Sequence, residues 1–232
     1  MSDGDVWTGI AAQPDVSGQQ APRFQLKIER HPTTQPAALE NVPPWDRPWV
    51  DPDAGDVLFQ KQITSPRRHT YLLVDAGLRA KTAGFFDLDE VDVPCRCLFK
   101  GKAAQDLKNV APYLIDLTLP EGAWDDAGLV PQFHKNFFAK HWSTETGILI
   151  QSTATLDEVW AHFRKFTKVM MPDKKVAYFR FWDPRMLIHF LQACTPAELE
   201  HFFLHPDDAL FSVTFSELFQ SISLRSARLE AI

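Results

Sequence analysis

Five sets of side chains have types and spacings that chemistry can use. His201 and His205 stand at i, i+4, a spacing that puts both imidazoles on one helix face. A zinc site needs a third and a fourth ligand. None stands at a recognisable spacing, and Pro206 ends the helix at His205, so no metal is expected. Cys95 and Cys97 flank Arg96 and fall on the same side of a strand. They are expected to be small apolar side chains on a buried face. Asp87, Asp89, Glu90 and Asp92 crowd into one short segment without the spacing or the turn glycine of a calcium loop. A solvated acidic loop is expected there.

The fourth set is Asp75, Asp183 and Arg185, all at the ends of predicted strands, where active sites of α/β enzymes gather. The fifth is Arg180. Alternation along 176–182 places Ala177, Phe179 and Phe181 on one face and Val176, Tyr178, Arg180 and Trp182 on the other. A guanidinium on a covered aromatic face needs a carboxylate, and Asp75 or Asp183 can supply it. A structural ion pair is the expectation. No glycine-rich phosphate loop, G-x-S-x-G elbow or H-E-x-x-H stands in the chain. Neither a cofactor nor a catalytic residue is therefore expected.

The elements that must position these residues belong to an ordinary globular chain of 232 residues, 45% hydrophobic and 23% charged. Its net charge of −6 and the lack of a basic stripe argue against nucleic acid as a partner. Three cysteines in such a chain read as free thiols. The start Met1-Ser2-Asp3-Gly4-Asp5 has no apolar segment behind it. Runs such as Tyr71-Leu72-Leu73-Val74 fall far short of the roughly 18 apolar residues of a membrane span. A cytoplasmic location without membrane contact is expected.

Composition divides the chain into three parts. Residues 1–66 hold nine of the 17 prolines but only two of the 18 phenylalanines, and form an arm unable to build its own core. Within it Phe24, Leu26 and Ile28 alternate with Gln25, Lys27 and Glu29, as in a short strand. Trp45 and Trp49 lie in a proline-rich loop and anchor either the arm to the body or a partner to the arm.

Residues 67–194 read as a mixed α/β body, a sheet with flanking helices. Strands are expected at 71–74, 95–99, 112–117, 147–150 and 176–182. A helix carries Phe133, Phe137 and Phe138; another starts at the capping box Thr155-Leu156-Asp157-Glu158. Asp183-Pro184 reads as an N-cap with proline at the first helical position. Residues 195–232 read as a small, shortened helical part. It opens with the capping box at Thr195 and carries a helical stripe of Phe211, Phe215, Leu218, Phe219 and Ile222.

Five blocks in order carry a family resemblance: Tyr71–Ala76, Leu98–Gly101, Ala111–Leu114, Gly147–Ser152 and Phe179–Arg185. The last, Phe179-Arg180-Phe181-Trp182-Asp183-Pro184-Arg185, is followed by Thr195-Pro196 and Phe202-Phe203 and is the most specific. Over about residues 69–205 the chain resembles the bacterial family catalogued as domain of unknown function 4123. Its members are the effector adaptors, or chaperones, of type VI secretion, also called Tap or Tec proteins. The resemblance implies a cytosolic, non-catalytic adaptor that binds a toxic effector and helps load it onto the VgrG spike. It makes Asp75, Arg180, Trp182, Asp183, Pro184 and Arg185 motif positions. The alternative is an α/β enzyme with its site near Asp75, Asp183 and Arg185.

Overall fold

The computed structural model describes residues 24–32, 48–59, 65–82, 91–142, 144, 146–171, 173–206, 209–215 and 220–226. Its strands are β1 (Phe24–Arg30), β2 (His69–Asp75), β3 (Cys95–Cys97), β4 (Pro112–Asp116), β5 (Gly147–Ser152), β6 (Lys168–Met170), β7 (Val176–Tyr178), β8 (Ser212–Phe215) and β9 (Gln220–Ser226). Its helices are α1 (Pro52–Leu58), α2 (Ala76–Thr82), α3 (Lys102–Asp106), α4 (Gln132–Lys140), α5 (Leu156–Phe163), α6 (Pro184–Ala193) and α7 (Pro196–Phe203). The class is mixed α and β, as the sequence implies.

Seven strands form one sheet in the order β1-β9-β8-β5-β2-β4-β3, every neighbouring pair antiparallel. The apolar runs Tyr71–Val74 and Ile148–Ile150 have no polar face to turn to water. They take central places, β2 against β5, where both faces are covered. Gly147 stands opposite Val74 with no room for a side chain; a Cβ there would lie 2.3 Å from the Leu73 carbonyl oxygen. β6 and β7 make a separate two-stranded hairpin.

The arm and the body share one core. Asp51 caps α1, its Oδ1 accepting from the Asp53 amide at 2.9 Å, and Pro52 takes the first turn. Val50, Ala54, Leu58 and Phe59 are buried in the main cluster. The last carbonyls of α1 are satisfied from the sheet, for Gln151 Nε2 donates to Val57 at 2.9 Å and to Leu58 at 3.1 Å. β1 is the expected short strand and lies on the sheet edge beside β9, Ile28 opposite Ile222. Both capping boxes form, Thr155 with Glu158 on α5 and Thr195 with Glu198 on α7.

Three local expectations need correction. The helical stripe from Phe211 to Ile222 is instead the strand pair β8 and β9, with α7 the helix of that part. Phe211, Val213 and Phe215 also alternate with Ser212 and Thr214, and this period of two prevails over the i, i+4 phenylalanine spacing. The buried hydroxyls of that pair bond each other, Thr214 Oγ1 to Ser221 Oγ at 2.8 Å. Leu218 and Phe219 lie outside the described residues. The strands expected at 95–99 and 176–182 are also shorter, ending at Cys97 and Tyr178. Beyond Tyr178 the chain turns instead of extending, the Asp183 amide donating to the Arg180 carbonyl at 3.0 Å. No helix among the described residues is long and apolar enough to cross a membrane.

Candidate functional site

Asp75 ends β2 at the point where the chain turns into α2. Its Oδ1 accepts the Leu78 amide at 2.7 Å, which caps that helix. Its Oδ2 accepts Trp182 Nε1 at 2.7 Å and Arg180 Nη2 at 2.9 Å. The Asp75 side chain is 3% exposed and that of Arg180 49%. A buried carboxylate is tolerable only with such charge-assisted donors around it. Of the two carboxylates proposed for Arg180, Asp75 is thus the direct partner. Asp183 Oδ2 lies further off, at 3.9 Å.

Asp183 caps α6 as its sequence predicts. Oδ1 accepts the Arg185 amide at 3.2 Å, and Pro184 occupies the first turn. The Arg185 guanidinium grips the same carboxylate with both prongs, Nε to Oδ1 and Nη2 to Oδ2, each at 2.9 Å. Burial pushes the Asp183 pKa up, but the hydrogen bonds and charge of Arg185 outweigh it and hold the group below the usual carboxylate value. The motif residues Asp75, Arg180, Trp182, Asp183, Pro184 and Arg185 therefore meet in one network joining β2, α2 and α6.

This network forms one wall of an open groove of about 560 Å³. Phe99, Tyr178 and Trp182 supply aromatic lining, with centroids 4.9 Å apart for Phe99–Tyr178 and 6.2 Å for Phe99–Trp182. Leu78, Leu107 and Val110 supply the aliphatic lining. Sequence reasoning placed Phe99 only within the block Leu98–Gly101 and did not single out Leu107 or Val110, which stand in a segment far from 176–185. Tyr178 was legible as a neighbour of Arg180 on one strand face.

The other candidates lie elsewhere. Cys95 and Cys97 are half-buried on β3 and line a separate cavity of about 490 Å³ beside Tyr113 and Lys108. Asp92 caps α4, accepting from the Gln132 amide at 3.0 Å and the Phe133 amide at 3.2 Å. Asp87, Asp89 and Glu90 lie outside the described residues. His201 and His205 border a cavity of about 370 Å³ together with buried His162. Among the described residues no group of three or more histidines, cysteines or carboxylates could hold a metal. Trp49 packs on its own chain, 5.4 Å from Phe59 and 5.6 Å from Phe138 between ring centroids, while Trp45 is outside the described residues.

A family model described as a domain of unknown function (DUF4123) matches residues 70–201. The chain belongs to the DUF4123 family. No curated protein and no solved structure matches it. The matched DUF4123 segment contains the whole Asp75–Arg185 network and both capping boxes. It leaves out β1, α1, β8 and β9, the elements that extend the sheet on one side and brace it through Gln151.

Proposed function

We propose that the protein is a non-catalytic adaptor of type VI secretion, acting in the cytosol, that binds a toxic effector and helps load it onto the VgrG spike. Membership of the DUF4123 family carries this reading, because the blocks that define the resemblance to effector adaptors are the ones matched. The local chemistry supports it. Asp75 accepts three hydrogen bonds in a nearly closed environment, and Asp183 is held by a helix amide and a guanidinium. Neither carboxylate is poised as a base or nucleophile, which weighs against an α/β enzyme built on Asp75, Asp183 and Arg185. The adaptor needs no cofactor, and its partners are proteins; nucleic acid and membrane take no part.

Co-expression tests the proposal. The chain is produced with each protein encoded beside its gene, and complexes are read by size exclusion with light scattering. A stable complex with a toxin, and one with a spike protein, is the expected result. Failure to associate with any of them overturns the adaptor reading.

A further inference from the structure

The groove at Asp75 continues outward as an exposed apolar row. In the β6–β7 hairpin Tyr178 stands opposite Lys168 and Val176 opposite Met170, so these four side chains share one face. Val169, on the other face, is buried. Tyr178 is 46% exposed, Val176 52% and Met170 40%, and Val110 across the groove is 53% exposed. Exposed apolar side chains grouped beside a groove in this way mark an interaction site.

Among the described residues that line the groove, the exposed charged groups are cations. The carboxylates of Asp75 and Asp183 are 3% and 6% exposed, whereas the guanidiniums in front of them are 49% and 61% exposed. The Lys168 ammonium lies 5.9 Å from the Tyr178 ring centroid. A ligand entering the groove therefore meets cations, although the chain as a whole carries −6. Tyrosine, tryptophan and arginine around an apolar centre are the composition of binding hot spots. The buried carboxylates fix both guanidiniums in advance, which lowers the entropy lost on binding.

We infer that this groove and the β6–β7 face form the cargo-docking surface, and that the occupant is an effector segment presenting aromatic or leucine side chains next to aspartate or glutamate. The inference rests on the adaptor reading and adds to it the surface used and the chemistry recognised. Apolar side chains of the segment fill the groove against Phe99 and Val110, and its carboxylates face Arg180, Arg185 and Lys168.

The test uses the full chain and the toxin encoded beside it, with affinities measured by biolayer interferometry. Synthetic peptides tiling that toxin serve as the second probe. Val176→Glu and Val110→Glu place like charge on two exposed positions, one on the β6–β7 face and one lining the groove, where the fold tolerates it. Each is expected to weaken toxin binding at least tenfold with unchanged melting, while Val176→Ile binds as the parent does. The peptides retained by the parent chain are expected to combine apolar and acidic residues. Parent-like affinity in both glutamate variants overturns the docking surface and leaves the adaptor reading standing. Retention of basic or purely polar peptides also overturns it. So does a change in self-association in place of toxin affinity, since the face would then bind a second copy of this chain. No complex between the parent chain and any neighbouring gene product removes both proposals together.

Discussion

Trp182 donates its indole N–H to Asp75 across 2.7 Å and 107 residues of sequence. The same oxygen takes the Arg180 guanidinium while the other accepts the Leu78 amide, so one buried carboxylate ties the start of α2 to the approach of α6. Removing the carboxylate strands a buried indole N–H and frees the first turn of α2. Asp75→Ala is expected to lower stability by about 2–4 kcal/mol. Denaturant unfolding measures this, and Asp75→Asn, which keeps acceptor capacity, should lose less.

Asp183 has a local task by comparison. Asp183→Ala removes the α6 cap at a cost of about 0.5–2 kcal/mol. Asp183→Asn retains a capping oxygen and should recover much of the loss in a thermal melt. The aspartate's pKa is depressed in the folded state. Its charged form therefore stabilises at neutral pH, and that contribution is lost as pH falls below the ordinary aspartate value towards the lower folded one.

Burial lowers the His162 pKa from 6.5 to about 4, while the hydrogen bond to the Phe202 carbonyl opposes and the charges of Lys165, His205 and His201 assist. The unfolded chain then binds more protons than the folded one between those two values. Stability should fall by up to about 3 kcal/mol as pH drops from 6.5 to 4, and this group adds nothing above that window. Burial lowers His134 as well, which adds in the same direction. Urea midpoints at pH 7 and pH 5 give the slope, and His162→Gln should flatten it.

Gly147→Ala brings a methyl group against the Leu73 carbonyl and the Val74 Cα, both backbone atoms that cannot swing aside. The β2–β5 pairing would have to open at the centre of the sheet. A loss of about 3 kcal/mol and poor soluble yield are expected. Parent-like melting would show that the strands have slack here.

Trp49 contacts Phe59 and Phe138 while half-buried. Trp49→Ala should cost about 2 kcal/mol in a melt, with toxin capture by the folded fraction unchanged. Reduced capture at unchanged melting would instead make Trp49 a partner anchor.

Legibility followed the range of the interaction. The capping boxes at Thr155 and Thr195 and the Asp183-Pro184 start involve neighbours within three residues, so sequence alone located them. Burial logic narrowed the partner of Arg180 to two carboxylates, but only the fold separates 2.9 Å from 3.9 Å. Phe211 and Phe215 fit both a helix and a strand by spacing, and pairing with β9 decides between them. α1 was passed over because Pro52, Asp53 and Gly55 are weak helix formers; its stability comes from Gln151 and the core beneath Leu58. The groove joins Leu78, Phe99, Val110 and Tyr178 from separate segments, and no local pattern announces such a meeting.

The strand order also sets a timetable for synthesis on the ribosome. β5 ends at Ser152, yet its neighbour β8 begins only at Ser212, after α5, the β6–β7 hairpin, α6 and α7 have emerged. Until then the unpaired edge of Gly147-Ile148-Leu149-Ile150 is open to any other extended chain, including a nascent copy on the same polysome. Of the described strands β1 emerges first and must wait longest, because its partner β9 is the last of them. Pairing of β8 with β5, and of β9 with β8 and β1, completes that side of the sheet, so translation speed through 153–211 sets how long the β5 edge stays unpaired.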